Sequence, residues 1–382
     1  MINVFPICIK TKNCWFQFLE KHNYTYYENH TIITPDKYIL TTVRIPRGLN
    51  ESSSNTTKKH PVILLHGIWS NPQDLILMGP NSIGFLLVES GFDVYLMASR
   101  GNTYSTAHEY FSTDSVEYWD FGFDEVGRYD IPCNIDYVKN LTGNSNVSFI
   151  GHSQGGTSFV TFAATRPEYL KSITSAHLFA PVVYMDYSRL PFFSVIKNNQ
   201  MTLEAVVTNL GLNKGVFTYN PIITVLGMIF CNIESPLIEI CASLLGIQGP
   251  DPDQLNRTKI TVMATNDPAG GSFKQLIHYL QVAQSGKFRE YNYYNQNQKI
   301  YQQEEPPLYN LTAINGTLLH IWYGENDFFT GEKDYKKLIS EIPCAIAKKV
   351  ENELWNHIDF AFAIESYKYV YRHVLDELLS HV

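Results

Sequence analysis

The sequence predicts an α/β protein: a mainly parallel central sheet with helices on both faces, interrupted by a helical cap and lid. Three observations carry that prediction. Short apolar runs alternate with helix-like segments through the first half of the 382-residue chain, the pattern of strands joined by crossover helices. The pentapeptide Gly151-His152-Ser153-Gln154-Gly155 stands directly behind the apolar run 147–150 and ahead of a helix-like run to Arg166. From about residue 185 to 310 the alternation stops, and it resumes at Thr317–Tyr323. The expected divisions are therefore 1–184 for the first part of the core, 185–310 for cap and lid, and 311–382 for the rest of the core.

Taken in order, Tyr24–Ile33 and Tyr38–Ile45 are rich in β-branched and aromatic residues and flank a Pro35-Asp36-Lys37 turn, so they predict two strands. The polar stretch Asn50–Lys59 predicts a surface loop. Pro61–Leu65 predicts a strand ending at His66-Gly67, Ser82–Ser90 a helix, Phe92–Met97 a strand and Ile131–Leu141 a helix. The apolar stretch Val216–Ile247 admits two readings: helices buried in an ordinary core, or a lid whose inner face covers an apolar cleft. Tyr291–Gln303 is polar and is expected on the surface; Phe360–Leu379 predicts a final helix. The net charge of −8 offers no basic surplus for a nucleic acid. No apolar run reaches the ~18 residues of a membrane span.

The chemistry begins at Ser153. G-x-S-x-G between a strand and a helix is a nucleophile elbow: the serine occupies a sharp turn, and glycines two residues either side remove Cβ atoms that would clash. A serine hydroxyl needs a base, and the base needs an acid to orient it. In α/β-hydrolases the order is Ser, then Asp or Glu, then His. Asp327 is the expected acid, on the loop just past the strand 317–323, with Glu325 and Asp334 as alternatives. His357, in Trp355-Asn356-His357-Ile358-Asp359-Phe360, is the expected base. His320 reads as a core histidine, His373 and His381 as solvent-facing, and His278 falls in the insertion. Oxyanion donors are expected from the backbone N–H groups of Gln154 and of Ile68 in the loop His66-Gly67-Ile68. No cofactor is expected, and His357 with Asp359 is too sparse for a metal site.

These residues resemble the acid lipase family of animals, which includes gastric, lysosomal and many insect lipases. The resemblance runs from about Leu19 to Leu379. It is carried by Leu64-Leu65-His66-Gly67-Ile68, Ser99-Arg100-Gly101-Asn102-Thr103-Tyr104-Ser105, Tyr118-Trp119-Asp120-Phe121, Tyr129-Asp130-Ile131-Pro132, the Ser153 elbow, Pro268-Ala269-Gly270-Gly271-Ser272 and Asn356-His357-Ile358-Asp359-Phe360. It implies an α/β-hydrolase fold with a helical cap and lid. It also implies hydrolysis of triacylglycerols or sterol esters at an oil–water or membrane interface, with Ser153 as nucleophile, Asp327 as acid and His357 as base. The alternatives are a short-chain carboxylesterase or thioesterase, and a non-catalytic lipid-binding or storage protein on the same fold.

Of six cysteines, Cys231 and Cys241 are the expected disulfide pair, two buried thiols being the other reading; in the resemblance they fall in the lid, where family members carry a disulfide. The N-terminal Met1–Ile9 makes a poor signal peptide. Against this, N-x-S/T sequons at Asn23, Asn29, Asn50, Asn55, Asn140, Asn146, Asn256, Asn310 and Asn315 point to a secreted or lysosomal glycoprotein whose N-terminus is incomplete in this sequence.

Overall fold

The computed structural model describes residues 14–51, 57–191, 193–241, 253–315 and 317–382. Eleven strands are named in chain order: β1 Glu28–Ile33, β2 Tyr38–Ile45, β3 Pro61–Leu65, β4 Asp93–Ala98, β5 Ala107–His108, β6 Val147–His152, β7 Ile173–Phe179, β8 Gly215–Val216, β9 Gly271–Ser272, β10 Leu318–Tyr323 and β11 Ala345–Lys349. The main sheet runs β1-β2-β4-β3-β6-β7-β10-β11, with β5 beside β2. Pairing is antiparallel at β1–β2 and β2–β4, and parallel from β4 through to β11. This is an α/β-hydrolase fold with a mixed, mostly parallel sheet.

Helices flank the parallel part, and its central strands are buried. Every residue of β3, β4 and β6 is buried. Each of Val62, Ile63 and Leu64, fully covered in β3, adds about 1.5–3 kcal/mol of apolar burial. Helices Ile83–Glu89, Ile131–Thr142 and Gln154–Thr165 lie where the sequence places them. Two strands escape the sequence pattern. In β7 the polar Thr174, Ser175 and His177 break the apolar run; β11 is an edge strand with exposed positions and two lysines.

Between β7 and β10 the described chain contributes no strand to the main sheet. It forms helices Phe193–Asn198, Gln200–Asn209, Pro221–Phe230, Ile260–Asn266 and Phe273–Ser285, with β8 and β9 paired antiparallel. The buried-core reading of the apolar stretch fails for helix Pro221–Phe230: Ile222, Val225, Leu226, Ile229 and Phe230 are exposed. Residues 242–247 of that stretch lie outside the described residues. Cys231 and Cys241 are disulfide-bonded, 5.5 Å apart at Cα.

Two further expectations need correction. Tyr291–Gln303 is not simply a surface segment. Tyr291 and Asn297 are buried, and Tyr291 joins a cluster with Phe273, Ile277 and Leu280. The final helix is broken into Asp359–Phe362, Tyr367–Tyr371 and Arg372–Leu379. Ala363 turns extended and bridges Leu255, the Ile364 N–H goes to the Gln254 carbonyl, and the Ser366 hydroxyl reaches back to the Asp359 carbonyl.

Candidate active site

β6 ends at His152 and the helix begins at Gln154, so Ser153 carries the whole change of direction. Its backbone is forced to φ 54°, ψ −119°, a region L-residues avoid unless the surroundings hold them there. Two glycines allow the helix to come that close. An added Cβ at Gly151 would stand 2.6 Å from the carbonyl carbon of Gly155, and one at Gly155 would stand 2.4 Å from the Leu65 oxygen. The Ser153 N–H donates to the Phe179 carbonyl at 2.8 Å, tying the turn to β7.

Three distant residues meet here. The imidazole of His357 lies with Nε2 2.8 Å from Ser153 Oγ and Nδ1 2.8 Å from Asp327 Oδ2. Asp327 follows β10 and is fully buried. Its Oδ1 accepts the N–H groups of Phe329 and Thr330, and its Oδ2 accepts the Tyr335 hydroxyl at 2.6 Å as well as His357. Burial alone would raise its pKa. The charge and hydrogen bond of His357, with those from Tyr335 and Thr330, outweigh burial and hold the carboxyl below its ordinary value. The carboxylate is therefore ionised and placed to keep the His357 proton on Nδ1. That leaves Nε2 free to take a proton from Ser153. Tyr335 is a site residue the sequence reading missed: it sits on helix Glu332–Glu341, and no spacing rule links it to the acid.

The alternative acids lie elsewhere. Glu325 is exposed and pairs with Lys349. Asp334 accepts backbone N–H groups from Asp186, Tyr187 and Gly331. Among the histidines, His373 and His381 are exposed. His278 is buried against Phe123, its Nε2–H donated to the Arg289 carbonyl.

His320 and His177 are buried beside the half-buried Glu377, their ligand-type atoms all within 4.8 Å of one another. The indole N–H of Trp322 donates to His177 Nδ1 at 3.2 Å. The neutral ring therefore carries its proton on Nε2, which faces Glu377 Oε2 at 2.8 Å. A metal would need a lone pair on that nitrogen, so the trio is a polar part of the core rather than a cation cradle.

The loop after β3 approaches the serine closely. A Cβ added at Gly67 would lie 3.0 Å from Ser153 Cβ and 3.4 Å from its Oγ. His66 braces this loop: its Nε2 accepts the Ser99 N–H at 3.2 Å, so its Nδ1–H donates to the Gly67 carbonyl at 2.8 Å. Burial pushes the His66 imidazole down to about 4, keeping it neutral. The Trp69 carbonyl accepts the Ala269 N–H. The backbone that carries Ile68 is thus held from both sides. The Gln154 N–H belongs to the first turn of its helix, where amides have no intrahelical partner.

The chain is similar to several known proteins. Residues 16–79 match the model of a partial alpha/beta-hydrolase lipase region, and residues 60–228 match the alpha/beta hydrolase fold. Lipase 3 of Drosophila melanogaster is 36% identical over 358 residues, covering 93% of this chain and 90% of the relative. Human gastric triacylglycerol lipase is 33% identical over 352 residues, covering 91% and 86%. The chain belongs to the alpha/beta-hydrolase lipase family. Among solved structures, a soluble variant of monoglyceride lipase from Saccharomyces cerevisiae superposes with a TM-score of 0.53 at 15% identity, covering 94% of this chain and 95% of that one; this likeness concerns the fold.

In this lipase-family chain the serine is covered: Ser153 is 5% exposed and His357 4%. Phe329 packs on the His357 ring at 4.5 Å. Trp69, which follows Ile68, packs against Phe217 of the insertion at 4.8 Å. The outer side of the insertion is strongly apolar, with Val195, Leu210, Leu212, Ile222, Ile233 and Ile240 all more than half exposed. Among the described residues, no helix is long and apolar enough to cross a membrane.

Proposed function

We propose that this chain is a serine hydrolase that cleaves carboxylic esters of neutral lipids, triacylglycerols or sterol esters, through an acyl-enzyme. The observation that carries the reading is the continuous chain from Ser153 Oγ through His357 to Asp327, with both links at 2.8 Å. Ser153 attacks the ester carbonyl as His357 Nε2 takes its proton. Asp327 keeps the imidazole in the working tautomer and stabilises the imidazolium. The backbone N–H groups of Ile68 and Gln154 hold the oxyanion. His357 then gives its proton to the leaving alcohol, and water repeats the sequence on the acyl-enzyme.

The apolar outer face of residues 193–241 favours insoluble substrate over a short soluble ester. So large an exposed apolar surface is unusual for a free-standing protein and suits contact with an oil or membrane surface. On this reading the insertion is a lid over Ser153. The same reading places the protein in the secretory pathway: the Cys231–Cys241 bond suits an oxidising compartment. Of the described sequons, Asn23, Asn29, Asn50, Asn140, Asn146, Asn310 and Asn315 are exposed, and Asn256 is half-buried.

The test is Ser153→Ala, assayed on emulsified triolein, cholesteryl oleate and a short-chain ester, together with covalent labelling by a fluorophosphonate. The expected result is loss of about 10⁴–10⁶-fold in kcat and of all labelling, with the fold retained. Hydrolysis persisting near wild-type rates would end the proposal. Preference for the short ester over both emulsions would replace lipase with esterase.

A further inference from the structure

We propose that His152, the residue before the serine, is a positioning residue that holds the base against the nucleophile. The inference rests on the serine-hydrolase reading above and adds a part to its machinery. His357 lies in the segment 350–358, which has no ladder partner and is neither strand nor helix. A base on such a segment needs its backbone fixed by other means, because the Ser153–His357 distance must stay within hydrogen-bond reach for proton transfer. Asp327 holds the imidazole by Nδ1 and leaves the main chain to other contacts.

The neighbouring Trp355, Asn356 and Ile358 have main-chain hydrogen bonds of their own, and His152 holds the peptide group of the base itself. Its side chain is buried, and its Nε2 lies 2.8 Å from the carbonyl oxygen of His357 itself. A carbonyl has no proton to give, so Nε2 carries the hydrogen and donates. One end of this strut is the last residue of β6, covalently joined to Ser153; the other is the peptide group of the base. Nucleophile and base are thereby tied through one side chain, independently of the bond that passes the proton.

The choice of histidine fits the electrostatics. The two rings stand 5.3 Å apart, and His357 becomes an imidazolium during each half-reaction. A charged neighbour at that distance would oppose it. Burial, and then the charge of His357, push the His152 imidazole down to about 3, so it remains a neutral donor while its neighbour gains and loses a proton. Lysine or arginine would offer the same hydrogen bond with a fixed positive charge.

The experiment compares His152→Leu, which removes the donor, with His152→Gln, whose amide nitrogen can stand where Nε2 stands. kcat and KM on a soluble ester, the rate of fluorophosphonate labelling and thermal unfolding are measured for each. Loosening a catalytic group by about an ångström costs about 10²-fold. The leucine variant is therefore expected to lose about 10–100-fold in kcat and in labelling rate with KM unchanged, while glutamine stays close to wild type. If leucine does not fold, His152→Asn takes its place, polar but too short to reach the His357 carbonyl, with the same expected loss. A leucine variant with near wild-type kcat, or a glutamine variant that falls as far as leucine or asparagine, would overturn the proposal. Either result leaves Ser153-dependent hydrolysis by the wild type standing, so the two readings fail separately.

Discussion

Asp327→Asn isolates what the carboxylate does, because the structure limits how an amide can sit there. Asp327 Oδ1 accepts two buried backbone N–H groups, from Phe329 and Thr330, and Oδ2 faces the Tyr335 hydroxyl and His357 Nδ1. Asparagine has one oxygen for these two places. With its oxygen toward the backbone, its NH2 points at His357 Nδ1 and forces the ring proton onto Nε2, where it can no longer accept from Ser153. With the amide flipped, the working tautomer is kept but both backbone donors lose their acceptor. An unmatched buried donor costs about 1–3 kcal/mol, so the flipped form lies roughly 2–6 kcal/mol higher. At about 1.4 kcal/mol per factor of ten, kcat should fall between about 30-fold and about 10⁴-fold, with KM little changed. The assay is initial-rate hydrolysis of a soluble ester. Glu325→Gln serves as control and is expected within about twofold of wild type, since its pairing with Lys349 is an exposed one. An Asp327→Asn enzyme within about threefold of wild type would show that the carboxylate does not set the tautomer of His357.

Two stability predictions follow from buried charge. Arg100 is fully buried and bridges Asp130 and Asp36; Arg100→Met strands Asp130 without its partner and should cost about 3–5 kcal/mol, read from the urea midpoint. The second concerns acid. Burial, as the leading cause in each case, pushes His152 to about 3, His66 to about 4 and His278 to about 3, all below the unfolded value of 6.5. The unfolded chain therefore takes up protons below pH 6.5 that the folded chain refuses. Their stabilising contribution is complete above pH 6.5 and is lost as pH falls toward 3–4, by up to about 1.4 kcal/mol per pH unit for each group. Urea unfolding at pH 7 and pH 5 checks this, and a protein no less stable at pH 5 would contradict it.

How much of this was legible in the sequence depended on whether a feature is written locally. β3 was bounded correctly at Pro61 and Leu65 because a parallel strand buried on both faces is an unbroken apolar run between turn residues. The elbow was legible because its strain demands glycine at fixed positions. Asp327 and His357 could be chosen by chain order and by loops past strand ends, and the structure brings both to Ser153. β7 was missed because Ser175 and His177 are buried polar residues, and the group that faces His177, Glu377, lies far along the chain. The break in the last helix was missed for the same reason: Gln254, whose carbonyl accepts the Ile364 N–H, is more than a hundred residues away. Tyr335 and the bond from His152 to the His357 carbonyl were invisible because each depends on a meeting that only the folded chain creates.

The same distinction explains where the chain departs from ordinary folding rules. Non-glycine residues with left-handed backbone include Trp69, Ser153 and Phe217. Trp69 directly follows the loop residue that would supply an oxyanion donor, Ser153 is the nucleophile of the proposed mechanism, and Phe217 is the insertion residue whose ring lies on Trp69. Strain of about 1–3 kcal/mol at each such residue persists only where the surrounding contacts over-determine it. Here those contacts are the Phe179 carbonyl on the Ser153 N–H, the Ala269 N–H on the Trp69 carbonyl and the β8–β9 ladder beside Phe217. The exposed apolar face of helix Pro221–Phe230 is a second departure, and it lies in the same insertion. A chain that only had to fold would relax both. On the proposed reading the insertion is the cover over Ser153, and it carries both the strained Phe217 and the apolar face that would meet a lipid. An inactivating change at Phe217 or Trp69 would then act through the cover as much as through the chemistry.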